Sequence, residues 1–205
     1  MASNTSLPAT ASATRPRSVL VLYAHSSPHQ SRVNRKLADA ARLQDGVQVH
    51  ELYETYPDFF IDVAAEQARA QAADMLVFLH PLQWYSMPAL MKEWIDAVLL
   101  PGWAYGQDGH ALAGKTFLLA VTTGSPAEAY AADQVHGRPF DDYLPAFRQT
   151  AQLCRMQWAE PHVLHGAHHV DDAAVEAHVE AFVRRLNAFI DHADGAPSHA
   201  TQLTV

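Results

Sequence analysis

Cysteine is nearly absent from this chain, which has Cys154 alone among 205 residues. A single cysteine excludes an internal disulfide framework and a cysteine-rich zinc site, and it is typical of a reducing compartment. The cytoplasm is therefore the expected location. Cys154 falls on an apolar helical face with Phe147 and Ala151, which favours a buried small hydrophobic residue over a nucleophile.

Positive charge is also scarce, with 14 lysines and arginines against 22 aspartates and glutamates and a formal net charge of −8. A general nucleic-acid binder would carry a surplus of cations, so we expect no nucleic-acid partner. No apolar run approaches the roughly 18 residues of a membrane-spanning helix, since the longest runs, 19–24 and 117–121, have the length of strands. Apolar residues still make up 49% of the chain, which is enough for a packed core.

Apolar runs typical of buried strands alternate with helical apolar patterns along the chain. This alternation predicts an α/β fold, in the form of a flavodoxin-like doubly wound sheet of five parallel strands in the order 2-1-3-4-5. We expect one domain at 18–192, between a disordered N-terminal extension at 1–17 and a loose C-terminal tail at 193–205. Strands are predicted at 19–24, 47–52, 75–79, 115–122 and 156–164, the last interrupted by Pro161, and helices at 31–43, 62–73, 88–100, 140–154 and 171–192.

The loop after the first predicted strand, residues 25–34, offers hydroxyl, amide and imidazole groups at the start of a helix. Free N–H groups and a partial positive charge at a helix N-terminus favour a phosphate monoester. The loop lacks the glycine spacing of a dinucleotide fingerprint, so FMN fits better than NAD. The alternative is that Ser31 only caps the helix.

Two further loops follow the third and fourth predicted strands. Residues 81–88 contain Trp84 and Tyr85, which can stack on a flat heterocycle or can instead form an aromatic plug on the next helix. Residues 122–125 contain Gly124, which lets the backbone approach a ligand closely. Because the carboxyl ends of parallel strands meet at one edge of a sheet, the three loops predict a single pocket.

Histidine is plentiful, with 13 residues and a cluster at His162, His165, His168 and His169. A zinc site would need a helical His pair or a cysteine partner, and neither accompanies the cluster. Surface histidines are the simpler interpretation, and no metal site is predicted.

Matching stretches along residues 18–190 point to a known family. The chain resembles the flavodoxin-fold NAD(P)H:quinone oxidoreductases, and within them the ancillary proteins of the glutathione-regulated potassium-efflux systems of bacteria. The chain departs from the family's Thr-Thr-Gly-Gly sequence at Ser125-Pro126, which removes a glycine. The matching stretches are 23–25, 31–34, 52–53, 56–59, 61–62, 64–67, 80–88, 94–96, 102–106 and 121–124.

The resemblance implies FMN as cofactor, in preference to FAD, with NADPH or NADH as reductant. It also implies that Tyr130 and His136 are catalytic residues beside the flavin, where a phenol and an imidazole can steady the charge that arrives with hydride. By the same resemblance, the phosphate would be held by His25, Ser31, Arg32, Val33 and Asn34, and the ring by Leu82, Gln83, Trp84, Tyr85, Thr122, Thr123, Gly124 and Ser125.

The function implied is that of an NAD(P)H dehydrogenase (quinone), which reduces quinones or similar electrophiles by two-electron hydride transfer with ping-pong kinetics. The family forms homodimers, so a homodimer is expected. One alternative is a flavin-binding regulatory subunit of a glutathione-gated potassium/proton antiporter, which a protein partner would hold at the inner membrane. Another is an azo or nitro reductase, which differs only in its electron acceptor.

Overall fold

Strands and helices alternate along residues 15–192, which the computed structural model describes. The strands are β1 (Val19–Tyr23), β2 (Val47–Glu51), β3 (Met75–Pro81), β4 (Thr116–Thr122), β5 (Gln157–Trp158) and β6 (His162–Leu164). The α-helices are α1 (Val33–Arg42), α2 (Leu52–Thr55), α3 (Val63–Ala72), α4 (Ala89–Val98), α5 (Pro145–Leu153) and α6 (Asp172–Asp191).

The sheet is parallel, and its strands lie in the order β2-β1-β3-β4-β5, with β6 also paired to β4. The flavodoxin-like order predicted from the sequence is confirmed. β1 is buried along its whole length, as expected of a strand covered on both faces. Helices α1 and α6 cover one face, where Leu37 and Phe182 join the core. Helices α3, α4 and α5 cover the other face, which also buries Trp94 and Cys154, and burial raises the pKa of the Cys154 thiol.

Proline accounts for two differences from the predicted elements. The fifth predicted strand is divided into β5 and β6, because Pro161 has no N–H to donate to the ladder of β4. The helix predicted at 140–154 is likewise divided into a 3-10 turn, Phe140–Tyr143, and α5, which begins at Pro145. Proline at a first helical position has the φ angle of a helix but cannot continue the hydrogen bonds of a preceding turn. The one-turn helix α2 was not predicted.

The predicted extension and tail fall mostly at 1–14 and 193–205, outside the described residues. The last residues of the predicted extension contact the domain: the Arg15 guanidinium lies 2.7 Å from the Asp74 carboxylate, and Arg17 lies over the Phe189 ring. Between residues 15 and 192, no helix is both long enough and apolar enough to cross a membrane.

The carboxylate of Glu66 on α3 is buried and holds several elements together. Its Oε1 accepts hydrogen bonds from the Tyr56 hydroxyl and from Arg69, each at 2.6 Å, and lies 2.9 Å from His50 Nε2. Its Oε2 accepts a hydrogen bond from the Trp94 indole at 2.8 Å. Burial alone would raise the pKa of Glu66, but hydrogen bonds from His50, Tyr56 and Trp94 lower it, so the buried group stays charged.

We expect Glu66→Gln to lower the free energy of unfolding by about 3 kcal/mol, because it leaves the Arg69 charge unpaired beside a buried amide. Urea unfolding measures the loss. Glu180→Gln is the matched control, since Glu180 is exposed on α6 and 3.5 Å from Arg184, and it should change stability by less than about 0.5 kcal/mol. Equal effects of the two substitutions would contradict the assigned role.

His162 and His178 are half-buried and stack with ring centroids 3.8 Å apart, and the His162 ring also stacks on Phe182. Burial lowers the pKa of each imidazole from 6.5 to about 4, and His178 lowers that of His162 further by charge repulsion. Both are therefore neutral in the folded protein near neutral pH. His162 was interpreted as a surface residue; it is half-buried, because β6 carries it against α6.

Between pH 6.5 and about 4 the unfolded chain binds more protons at these two groups than the folded one. Stability from their burial is therefore present above pH 6.5 and is lost as the pH falls toward 4. We expect His178→Phe, which keeps the stacking, to reduce the slope of unfolding free energy against pH in this window. An unchanged slope in urea unfolding series would disprove the assignment.

Candidate functional site

Two adjoining cavities lie at the carboxyl ends of β1, β3 and β4, with volumes of about 290 and 200 Å³. Between them they are lined by every residue predicted for the site. The phosphate cavity, as we call the larger, is lined by His25, Ser31, Arg32, Val33, Asn34, Leu82, Gln83, Thr122, Thr123 and Gly124. The aromatic cavity shares Leu82 and Gly124 and adds Trp84, Tyr85, Ser125, Tyr130 and His136.

The phosphate cavity is built around the start of α1. The Ser31 hydroxyl oxygen accepts hydrogen bonds from the Tyr23 hydroxyl at 2.9 Å and from the Arg35 backbone N–H at 3.1 Å. Ser31 thus caps the N-terminus of α1, as the alternative interpretation of this loop predicted. The proton of the Ser31 hydroxyl is not used in these two hydrogen bonds and is available to a ligand. Asn34 donates to the Thr122 hydroxyl at 3.1 Å, while its buried Oδ1 has no hydrogen-bond partner within residues 15–192.

The charge of the phosphate cavity suits an anion. Its lining includes the side chains of His25, Arg32 and His168 and no carboxylate. The Arg32 guanidinium also anchors the connection between β6 and α6, since it donates to the Val170 carbonyl at 2.9 Å and pairs with Asp172 at 2.6 Å. Arg32 therefore contributes its charge from a fixed position rather than as a free side chain.

A further cavity of about 250 Å³ lies between the ends of β1 and β2. It is lined by His25 and Arg35 but also by the carboxylates of Glu51 and Glu54. Like charges repel, so these two carboxylates disfavour a phosphate there. The lining of the phosphate cavity suits an anion better than the lining of this one.

The loop after β3 makes a tight turn with unusual backbone angles. Gln83 and Ser86 exchange two backbone hydrogen bonds, each of 2.9 Å, across a two-residue turn. The turn residues, Trp84 and Tyr85, have φ angles of 47° and 64°, a conformation in which side chains other than glycine are strained. Trp84 is 94% exposed, so it does not plug the following helix. Such strain is typical of positions retained for a ligand contact.

The aromatic cavity brings Tyr130 and His136 together. Their rings stack with centroids 4.3 Å apart, and Tyr85 meets His136 edge-on at 5.6 Å. Burial raises the pKa of Tyr130, an effect that the neighbouring Thr123 hydroxyl partly offsets, so the phenol is protonated at neutral pH. Neither ring nitrogen of His136 has a hydrogen-bond partner in the described part of the chain. Both residues can therefore present a polar atom to a ligand.

Sequence reasoning missed the wall formed by the connection between β6 and α6. Ala167 and His168 line the phosphate cavity, and the His165 Nδ1 lies 3.0 Å from the Thr123 hydroxyl. The histidine cluster was the sequence feature that could have indicated this wall. His165 was interpreted as a surface residue, but it is half-buried. Tyr143, whose ring stacks on Tyr85 at 5.0 Å, was also missed. Across residues 15–192, no three His, Cys, Asp or Glu side chains are grouped so as to hold a metal ion.

The sheet order defines a flavodoxin-like α/β protein, with its candidate site beyond the carboxyl ends of the strands. The chain belongs to the family described as having a flavodoxin-like fold, whose model matches residues 17–188. A glutathione-regulated potassium-efflux system ancillary protein, KefF of Enterobacter sp. (strain 638), is 43% identical over 168 residues, which are 82% of this chain and 94% of the relative. The resemblance predicted from the sequence is confirmed.

Solved structures of similar sequence and fold support the same family membership. General stress protein 14 of Treponema denticola, solved in complex with FMN, is 39% identical, with a TM-score of 0.75 over 85% of this chain and 98% of that chain. A Klebsiella pneumoniae protein provisionally assigned as a quinone reductase is 28% identical, with a TM-score of 0.71 over 84% of each chain. This chain is therefore similar over nearly its whole described length to a protein that binds FMN.

The strained turn leads to a stability prediction. Trp84→Gly should be more stable than Trp84→Ala by about 1 kcal/mol, because only glycine adopts the left-handed conformation without a steric penalty. Because both variants lack the exposed indole, the difference between their free energies of unfolding reports only the backbone strain at residue 84. Thermal and urea unfolding measure it. If the alanine variant is the more stable, Trp84 is not strained.

Proposed function

We propose that this protein binds FMN across the two cavities and uses NADPH or NADH to reduce quinones or similar electrophiles by hydride transfer. The observation that carries the proposal is the junction, at Leu82 and Gly124, of a cavity lined by no carboxylate and an aromatic cavity that contains Tyr130 and His136. The family relationship, with one relative solved as an FMN complex, supports an oxidoreductase that uses this cofactor.

The residues present fit the cofactor. The Arg32 guanidinium, the free proton of Ser31 and the backbone at the start of α1 suit a phosphate monoester. The unpartnered Oδ1 of Asn34 can accept a hydrogen bond from a hydroxyl of the ligand. The backbone of Gly124 is exposed between the two cavities, where a planar ring can approach it. When bound, FMN would supply the redox chemistry, taking hydride from a nicotinamide and passing it to the acceptor.

The chain's own groups supply position and charge. The hydroxyl of Tyr130 keeps its proton and so can donate a hydrogen bond to negative charge that develops beside it. The unpartnered nitrogens of His136 can hold or release a proton at the same place. Reductant and acceptor would bind in turn, with ping-pong kinetics, as the family resemblance implies.

The absorption spectrum of the purified protein, taken with added FMN and then with NADPH under anaerobic conditions, tests the proposal. We expect flavin bands that bleach on reduction. Tyr130→Phe and His136→Gln should each slow the bleaching by about 100-fold, because a donor aimed at developing charge is lost. His192→Gln, at the exposed end of α6 that packs near the amino ends of the strands, is the control. Variant rates within about twofold of wild type would remove both residues from catalysis.

A second candidate function is that of a flavin-binding regulatory subunit of a potassium/proton antiporter. The 43% identity to KefF favours it. Bound flavin that NADPH does not bleach would support this candidate over the enzyme. Turnover with azo and nitro compounds but not quinones would instead identify an azo or nitro reductase.

A homodimer is also part of the proposal. Its support is the exposure of large aromatic side chains, 83% for Phe60 and 94% for Trp84, which a second copy could cover. Sedimentation of the purified protein decides between monomer and dimer.

A further inference from the structure

We propose that His165, in the connection between β6 and α6, is a positioning residue of the candidate site that acts through Thr123. Its part in catalysis rests on the proposed function, whereas its hydrogen bond to Thr123 does not. The residue lies 42 positions from Thr123 in the sequence and reaches it because β6 pairs with the end of β4.

The direction of the hydrogen bonds follows from proton counting. The Thr123 hydroxyl donates its single proton to the Ser125 carbonyl at 2.7 Å. Toward His165, whose Nδ1 is 3.0 Å away, the same oxygen can then only accept. This direction assigns the proton of the pair to Nδ1 of His165. Burial lowers the pKa of His165, so the neutral ring with this one tautomer is the form present at neutral pH.

The ring of His165 also packs against two aromatic rings. Its centroid lies 5.3 Å from that of Tyr130 and 4.9 Å from that of Phe140, which it meets at right angles. Tyr130 is the proposed donor to the reacting ring, so a shift of the imidazole would move the phenol. His165 therefore contacts one residue of each cavity, Thr123 of the phosphate cavity and Tyr130 of the aromatic cavity.

Backbone hydrogen bonds tie the His165 connection to the same loop. Thr123 donates to the Leu164 carbonyl at 3.0 Å, Ala167 donates to the Thr123 carbonyl at 2.8 Å, and Gly166 donates to the Ser125 carbonyl at 2.8 Å. Gly166 has a φ of 68°, and a Cβ there would lie 3.6 Å from the Pro126 Cα. Residues 123–126 are thus held from one side by a single connection.

These contacts give His165 its role. Ser125 occupies the position of the family's second glycine, so the backbone has less conformational freedom there. The Ser125 carbonyl accepts two hydrogen bonds, from the Thr123 hydroxyl and from the Gly166 N–H. The His165 hydrogen bond orients the first of these donors. Without it the Thr123 hydroxyl could rotate, and both the loop beside the ligand and Tyr130 would lose a fixed position.

The first test needs no cofactor. Nitrogen-15 NMR of the imidazoles in the protein without added flavin should show His165 as the Nδ1-protonated tautomer. The assignment uses loss of the signal in His165→Phe. An Nε2-protonated ring would overturn the proposal, whether or not the protein proves to bind FMN.

The second test separates the hydrogen bond from ring packing. His165→Phe keeps a ring against Tyr130 and Phe140 but has no donor, whereas His165→Asn places an amide N–H near the position of Nδ1. We expect the phenylalanine variant to bind FMN about tenfold more weakly and to be reduced by NADPH at least tenfold more slowly. The asparagine variant should recover most of both losses.

His169→Asn, at an exposed position in the same connection, should match wild type. An asparagine variant as impaired as the phenylalanine variant, or a phenylalanine variant equal to wild type, would overturn the role. Failure of wild type to bind FMN would refute the proposed function alone, because the tautomer still reports the His165–Thr123 bond.

Discussion

The parallel pairing of β3 with β4 is the constraint on which the site depends. The two strands stay in register from Met75 and Thr116 to Pro81 and Thr122. The ladder then continues beyond the strands, since the Leu82 N–H donates to the Thr122 carbonyl at 2.7 Å. This bond holds the strained turn and the loop after β4 side by side. The adjoining cavities share Leu82 and Gly124 for this reason, one on each side of the same contact.

The sequence predicted what depends on local pattern. Buried parallel strands are continuous apolar runs, and ligands bind beyond their carboxyl ends, so both the sheet order and the three loops followed from 19–24, 75–79 and 115–122. Phosphate and ring positions were added by family resemblance, and the structure places those residues around the paired cavities. Their contacts with a cofactor stay predictions.

What the sequence did not predict depends on contacts between distant segments. His162, His165 and His168 are close in the chain but have different surroundings: the first stacks under α6, the second binds Thr123, and the third faces the phosphate cavity. Only the pairing of β6 with β4 decides these directions. The predicted helix at 140–154 is divided because of a local feature, Pro145. The contacts that follow join segments far apart in the sequence, since the 3-10 turn places Phe140 against His165 and Tyr143 against Tyr85.

Stability and function are distributed unequally over the fold. The buried carboxylate of Glu66 is contacted by four polar side chains. The loops at the carboxyl edge instead contain strained backbone at Trp84 and unpartnered polar atoms on Asn34 and His136. Unsatisfied buried groups and strained turns cost stability unless something binds them. The strained turn and the unpartnered atoms of Asn34 and His136 belong to residues that line the two cavities, which is expected where a ligand binds. Ser125-Pro126, which stands where the family has a glycine, restricts the backbone of the loop after β4. Hydrogen bonds from the connection between β6 and α6 hold the same loop in place.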